Sequence, residues 1–141
     1  MDGFEKHKGR LTIVAATNRP WDLDQAVIRP PRMTHKIYVP LPDDEARKYL
    51  FNMFLKELPT QGEIDIDRFV KATDGFSPAD IRNFINQATR FPIVRAIESK
   101  NPEQFLTNDD LAKAIRNVCS SISPESVDEM NAYIRSNGVR A

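Results

Sequence analysis

Leu11-Thr12-Ile13-Val14-Ala15-Ala16-Thr17-Asn18-Arg19-Pro20 decides how the rest of the chain is read. Its first six residues are apolar or β-branched, and so short a run predicts a buried strand over 11–16. The run ends in a polar Thr17-Asn18 pair. The C-terminal end of a buried strand is where an α/β sheet places its chemistry. Asn18 can both donate and accept, so it suits holding a water or a phosphate oxygen. Residues 21–28 read as a short helical turn capped by Asp22. Arg29 and Arg32 follow, flanking Pro30-Pro31, which cannot continue a helix and stiffen the loop. Two guanidinium groups on a stiff loop suit phosphate recognition, although an arbitrary arginine pair is more often simply solvated. Lys36-Ile37-Tyr38-Val39 reads as a second strand, closed by Pro40-Leu41-Pro42.

Four parts of this segment resemble the AAA branch of the AAA+ ATPases. They are Ala16-Thr17-Asn18-Arg19-Pro20, Leu23-Asp24, Arg29-Pro30-Pro31-Arg32, and Ile37-Tyr38-Val39-Pro40-Leu41-Pro42. The resemblance implies that Asn18 is sensor 1, which orients the water attacking the γ-phosphate. It implies that Arg29 and Arg32 are arginine fingers reaching into the nucleotide site of the next subunit. Trp21 after Asn18-Arg19-Pro20 is similar to the spastin and katanin subgroup.

At 141 residues the chain is long enough for a real core. Lys plus Arg and Asp plus Glu number 20 each, so the net charge is zero. That argues against a general nucleic-acid surface. One cysteine, Cys119, excludes an internal disulfide and fits a reducing compartment. No apolar run approaches the roughly 20 residues that cross a bilayer. The start of the chain lacks the form of a signal peptide, so a cytoplasmic protein is expected. Neither a P-loop nor a strand ending in Asp-Glu is present. Met1-Asp2-Gly3-Phe4 resembles the segment that follows both in the AAA family. The chain is therefore expected to be the part of an AAA module after its Walker B region.

Beyond Pro42 the periodicity turns helical. Asp43 is a candidate N-cap, and Ala46, Tyr49, Leu50, Met53 and Phe54 fall on one stripe of a helix over 44–58. Asp65 or Asp67 can cap a short helix carrying Phe69, Val70 and Thr73, stopped by Asp74-Gly75. Ser77, Pro78 and Asp80 form a capping box with proline at N1, ahead of Ile81, Phe84, Ile85 and Ala88. Phe91-Pro92 is expected to break or kink this helix, with Ile93, Val94 and Ile97 restarting its apolar pattern. Thr107 with Asp110 is a second capping box, ahead of Leu111, Ala114, Ile115 and Val118. Ser123-Pro124 opens a last helix with Val127, Met130 and Ile134 inward, ending at Asn137-Gly138. By itself this pattern describes a helical bundle with no site of its own.

The resemblance adds a role to it. Residues 75–81 resemble the sensor 2 region of the AAA lid, where the start of the helix packs on the adenine of the subunit's own nucleotide. This implies base contacts from Pro78 and Ala79, with Leu50 and Phe54 bordering base and ribose. Pro78 stands where the family usually has glycine, which removes one N–H, and Phe54 offers no hydrogen bond to a ribose. The expected fold is an α/β remnant of two strands followed by an all-α lid, predominantly α. Its parts are 1–42 (end of the large α/β subdomain), 43–119 (lid) and 120–141 (C-terminal helix). The last helix resembles one that in the spastin and katanin subgroup folds back onto the large subdomain. The implied function is ATP hydrolysis coupled to protein remodelling in a homo-hexamer. ATP and Mg²⁺ serve the full-length protein, with neither held tightly by this chain alone and no metal ligand assigned in it. The alternative is a non-enzymatic helical interaction or regulatory module.

Overall fold

A computed structural model describes residues 12–28, 32–33, 35–102, 104–137 and 139. The chain divides into two compact units, Pro40–Pro124 and Met1–Val39 with Glu125–Ala141. Each is taken separately below.

Unit Pro40–Pro124 is helical because its polar residues start helices where its apolar stripes need them. Helix α2, Asp44–Leu55, is capped by Asp43, whose carboxylate accepts from the Ala46 N–H at 2.8 Å. Helix α3, Ile66–Ala72, uses Asp65 as its cap, accepting from the Arg68 N–H at 3.1 Å. Gly75, at φ +75°, then turns the chain through the left-handed region that glycine enters without strain. Helix α4, Pro78–Ala88, opens on the expected Ser77–Asp80 capping box. Helix α5, Arg90–Ser99, follows directly. Helix α6, Asn108–Ala114, opens on the Thr107–Asp110 box and tightens into a 3₁₀ turn at Ile115–Asn117. The core holds Phe51, Phe69, Ile81, Phe84, Leu106 and Leu111, all nearly solvent-free. Phe84 meets Phe51 edge-on and Phe69 at a tilt, each at 5.9 Å between ring centres. These are favourable aromatic geometries. A single parallel bridge, Thr60 to Leu106, ties the loop after α2 to the loop before α6.

Four expectations need correction in this unit. The buried stripe of α2 is Arg47, Phe51 and Leu55, one residue round from the predicted face, and Tyr49 and Met53 are exposed. Arg47 is buried because its guanidinium is fully engaged. It donates to the Pro42 carbonyl at 2.8 Å and the Val70 carbonyl at 3.3 Å, and pairs with Asp44 and Asp74. Helix α2 ends at Leu55, not Leu58. The break expected at Phe91-Pro92 comes earlier, at Thr89, so Pro92 sits in the first turn of α5, where its missing N–H costs no helical bond. Ile93, Val94 and Ile97 do not continue the core: they are 58%, 49% and 72% exposed.

In the other unit, residues 12–17 are exposed and irregular, and no ladder forms among the described residues. Among the described residues, 12–16 and 36–39 form no strand beyond an isolated bridge residue at Ile37, and Leu11 lies outside them; the fold is predominantly α as expected. A strand needs a neighbour for its N–H and C=O groups, and two short runs alone are marginal in water. A 3₁₀ turn at Pro20–Asp22 and a four-residue helix α1, Gln25–Ile28, follow. The cap of α1 is Asp24, which accepts from the Ala26 N–H at 2.8 Å, and not Asp22. Asp22 instead pairs with Arg19 at 2.7 Å. Helix α7, Pro124–Asn137, keeps Val127, Met130 and Ile134 half-buried, and none of its described residues is fully buried.

Candidate functional site

Asn18 stands at the end of the exposed run, in a locally braced loop. The Arg19 N–H donates across it to Thr17 Oγ1 at 3.0 Å. The 3₁₀ turn follows at once, with the Asp22 N–H on the Arg19 carbonyl at 3.2 Å. Asn18 itself is exposed. Arg32 is also exposed, and its Nη1 donates to the Ala26 carbonyl at 3.0 Å, at the foot of α1. Arg29, Pro30 and Pro31 lie outside the described residues.

The four lid residues lie on the packed pair α2 and α4. Leu50 and Phe54 are one turn apart on α2, half-buried against the core. Pro78 and Ala79 form the exposed first turn of α4. Arg82 joins the two sets. It lies three to four residues beyond Ala79 and Pro78, hence on their face of the helix, and its guanidinium stands 4.9 Å from the centre of the Phe54 ring. Met53, Phe54, Leu58 and Ile85 line a shallow groove here, with Glu57, Arg82 and Asn86 supplying polar groups. Sequence reasoning missed Arg82; its spacing from Pro78 was visible, its partner on α2 was not.

Asp80 fixes the turn that carries Pro78 and Ala79. Burial pushes its carboxyl pKa up, but hydrogen bonds from Ser77 and Ser121 outweigh this and hold it below the usual range. It therefore stays ionised and accepts from the Ser77 N–H at 3.0 Å and Ser77 Oγ at 2.7 Å. Pro78 has no N–H. The Asp80 N–H is used on Ser77 Oγ at 3.2 Å and the Ile81 N–H on the Ser77 carbonyl at 3.0 Å. That leaves the Ala79 N–H as the remaining donor of the turn. Ser120 braces the same loop, donating to the Gly75 carbonyl at 2.9 Å. Among the described residues no group of His, Cys, Asp and Glu is arranged to hold a metal ion.

Comparison with known proteins gives two family matches in sequence order. Residues 1–41 match the ATPase family associated with various cellular activities (AAA), and residues 63–107 match the AAA+ lid domain. The 26S proteasome subunit RPT4 of Saccharomyces cerevisiae is 41% identical over 118 residues, covering 84% of this chain and 25% of that protein. The katanin p60 ATPase-containing subunit A1 of Strongylocentrotus purpuratus is 31% identical over 95% of this chain and 28% of its own length. The ATP-dependent zinc metalloprotease FtsH 3 of Sorangium cellulosum is 42% identical over 88 residues, 62% of this chain and 14% of that protein. The chain spans between 25% and 31% of the length of the first four relatives it matches.

Proposed function

This chain belongs to the AAA family of ATPases, and on that premise we propose that it supplies three parts of an ATP-driven protein-remodelling machine. These are a water-orienting residue, a pair of trans-acting arginines and the lid over the nucleotide. The observation that carries the reading is the order of the two matches, AAA over residues 1–41 and the AAA+ lid over 63–107 within one chain. Phosphoryl transfer asks a protein mainly for positioning and electrostatics. Asn18 orients the attacking water through its side-chain amide. Arg29 and Arg32 stabilise charge on the γ-phosphate held by the next subunit, which a trans arginine does by roughly 10³–10⁵ in rate. Because each finger serves a site on another chain, activity needs a ring of subunits, homo-hexameric by the resemblance to the family. The substrate nucleotide is ATP with Mg²⁺, and the machine acts on protein in the cytoplasm.

In the lid, Leu50 and Phe54 border the base and ribose, and Pro78 and Ala79 pack on the adenine. The Ala79 N–H is the donor that the proline at N1 leaves for it. Among the described residues no helix is long and apolar enough to cross a membrane.

The test is ATP turnover by the assembled protein containing this chain, with Asn18→Ala beside wild type. Turnover should fall by roughly 10²-fold or more, with nucleotide affinity little changed. Unchanged turnover would overturn the assignment and leave the interaction module as the better reading.

A further inference from the structure

We propose that Tyr133 of α7 is a positioning residue for Asn18, acting through Trp21. The inference rests on reading Asn18 as the water-orienting group and adds what holds that group in place. Within its unit the Asn18 loop has little of its own to hold it. Residues 12–17 on one side are exposed and make no ladder among the described residues, and Asn18 and Arg19 are themselves exposed. The braces of the loop are short-range: Thr17 to Arg19, Arg19 to Asp22, and the Leu23 N–H on the Pro20 carbonyl at 3.4 Å. Such contacts fix the shape of a turn, but they leave it free to move as one piece.

Trp21 supplies the longer contact. It is the chain's single tryptophan, half-buried in the 3₁₀ turn three residues after Asn18. Arg19 lies 5.9 Å from its ring centre, and Tyr133 approaches at 6.4 Å between centroids with the planes tilted by 59°. Distance and tilt fall within the favourable range for aromatic pairs. Tyr133 sits in the fourteen-residue helix α7, over a hundred residues away in sequence. The ring pair therefore sets the braced turn against a rigid element, and the turn carries Asn18 with it. A pair of this kind shifts a docked-to-undocked balance by roughly 2- to 10-fold. That is enough to change how often an exposed amide stands where the chemistry needs it.

The single tryptophan makes the contact measurable in this chain without nucleotide. Wild type, Tyr133→Phe, Tyr133→Ala and Tyr133→Leu are compared by Trp21 emission, acrylamide quenching and the ¹H–¹⁵N heteronuclear NOE of Asn18 and Arg19. Amides of α4 serve as the internal control for folding. The phenylalanine variant should match wild type, because the ring makes the contact and the hydroxyl does not. The alanine and leucine variants should red-shift Trp21 emission, raise quenching and lower the Asn18 and Arg19 NOE, with α4 unchanged. The leucine variant keeps an apolar side chain on α7, so it decides the matter if alanine disturbs the helix. Unmoved Trp21 and Asn18 signals in the leucine variant would overturn the proposal, and so would equal losses in the phenylalanine variant. No nucleotide is present, so such a failure refutes the positioning role and leaves the Asn18 assignment to the turnover assay.

Discussion

Asp110→Ala should cost the helical unit about 2–4 kcal/mol. Asp110 is fully buried, and its carboxylate has two duties. It accepts from the Thr107 N–H at 3.0 Å and Thr107 Oγ1 at 2.9 Å, closing the cap of α6. It also receives both terminal nitrogens of Arg95, at 2.5 and 2.9 Å. Loss of a cap costs about 1 kcal/mol, and an N–H left without an acceptor about 1–3 kcal/mol. Breaking a buried ion pair costs about 3–5 kcal/mol, but that figure needs discounting here. The Arg95 side chain is 38% exposed and also holds the Phe105 carbonyl at 2.8 Å, so it rehydrates in part. The terms overlap, which brings the sum to the range given.

The dependence on pH has a definite sign. Burial would raise the Asp110 pKa, but the hydrogen bonds from Arg95 and Thr107 win and lower it. A folded value below the unfolded one, about 3.9, contributes stability that is present above the unfolded value. That contribution is lost as pH falls through the folded value. Urea unfolding followed at 222 nm should show a constant gap between wild type and variant from pH 7 to 5, narrowing below about pH 4. Asp109→Ala, at the exposed pair with Lys113, is the control and should change stability by less than about 0.5 kcal/mol. A cost for Asp110→Ala under about 1 kcal/mol, or a gap that widens in acid, would refute the reasoning.

Phe51→Ala removes a solvent-free ring that meets Phe84, and should cost about 3–5 kcal/mol by calorimetry or urea unfolding. Hydrogen exchange should find slow amides over 47–54 and 81–88 and fast ones over 12–16, where no ladder protects them; equal protection in a demonstrated monomer would contradict the described fold. The 141-residue chain alone should show no ATP turnover in a phosphate-release assay, because it contains no P-loop lysine; turnover abolished by Arg29→Ala would reverse that expectation.

What could be read from the sequence was mostly short-range chemistry. The caps at Asp43, Ser77–Asp80 and Thr107–Asp110 stand where residue type and spacing put them, since capping involves only three or four neighbours. The periodicity places the stripe of α2 one residue off because Arg47 counts as polar in any periodicity. Only its bonds to the Pro42 and Val70 carbonyls reveal that it is a core residue. The spacing of Ile93, Val94 and Ile97 suits a helix, but spacing cannot say whether anything faces them. Strands over 11–16 and 36–39 depend on neighbours distant in sequence, and composition alone does not supply those. The same limit applies to the site. Asn18, Pro78 and Ala79 stand in short local motifs, and it is the family resemblance of those motifs that proposes them. Arg82 over Phe54 and Tyr133 against Trp21 are contacts between separate elements, and neither residue type announces its partner.

The central claim is that this chain completes a neighbour's nucleotide site. Subunit mixing tests it most directly. Arg29→Ala or Arg32→Ala protein is titrated into rings whose P-loop lysine is replaced, with co-assembly confirmed by size and mass. Each parent should be nearly inactive, and mixed rings should recover part of the turnover, because each subunit type supplies what the other lacks. Co-assembled rings with no recovery at any ratio would contradict action in trans.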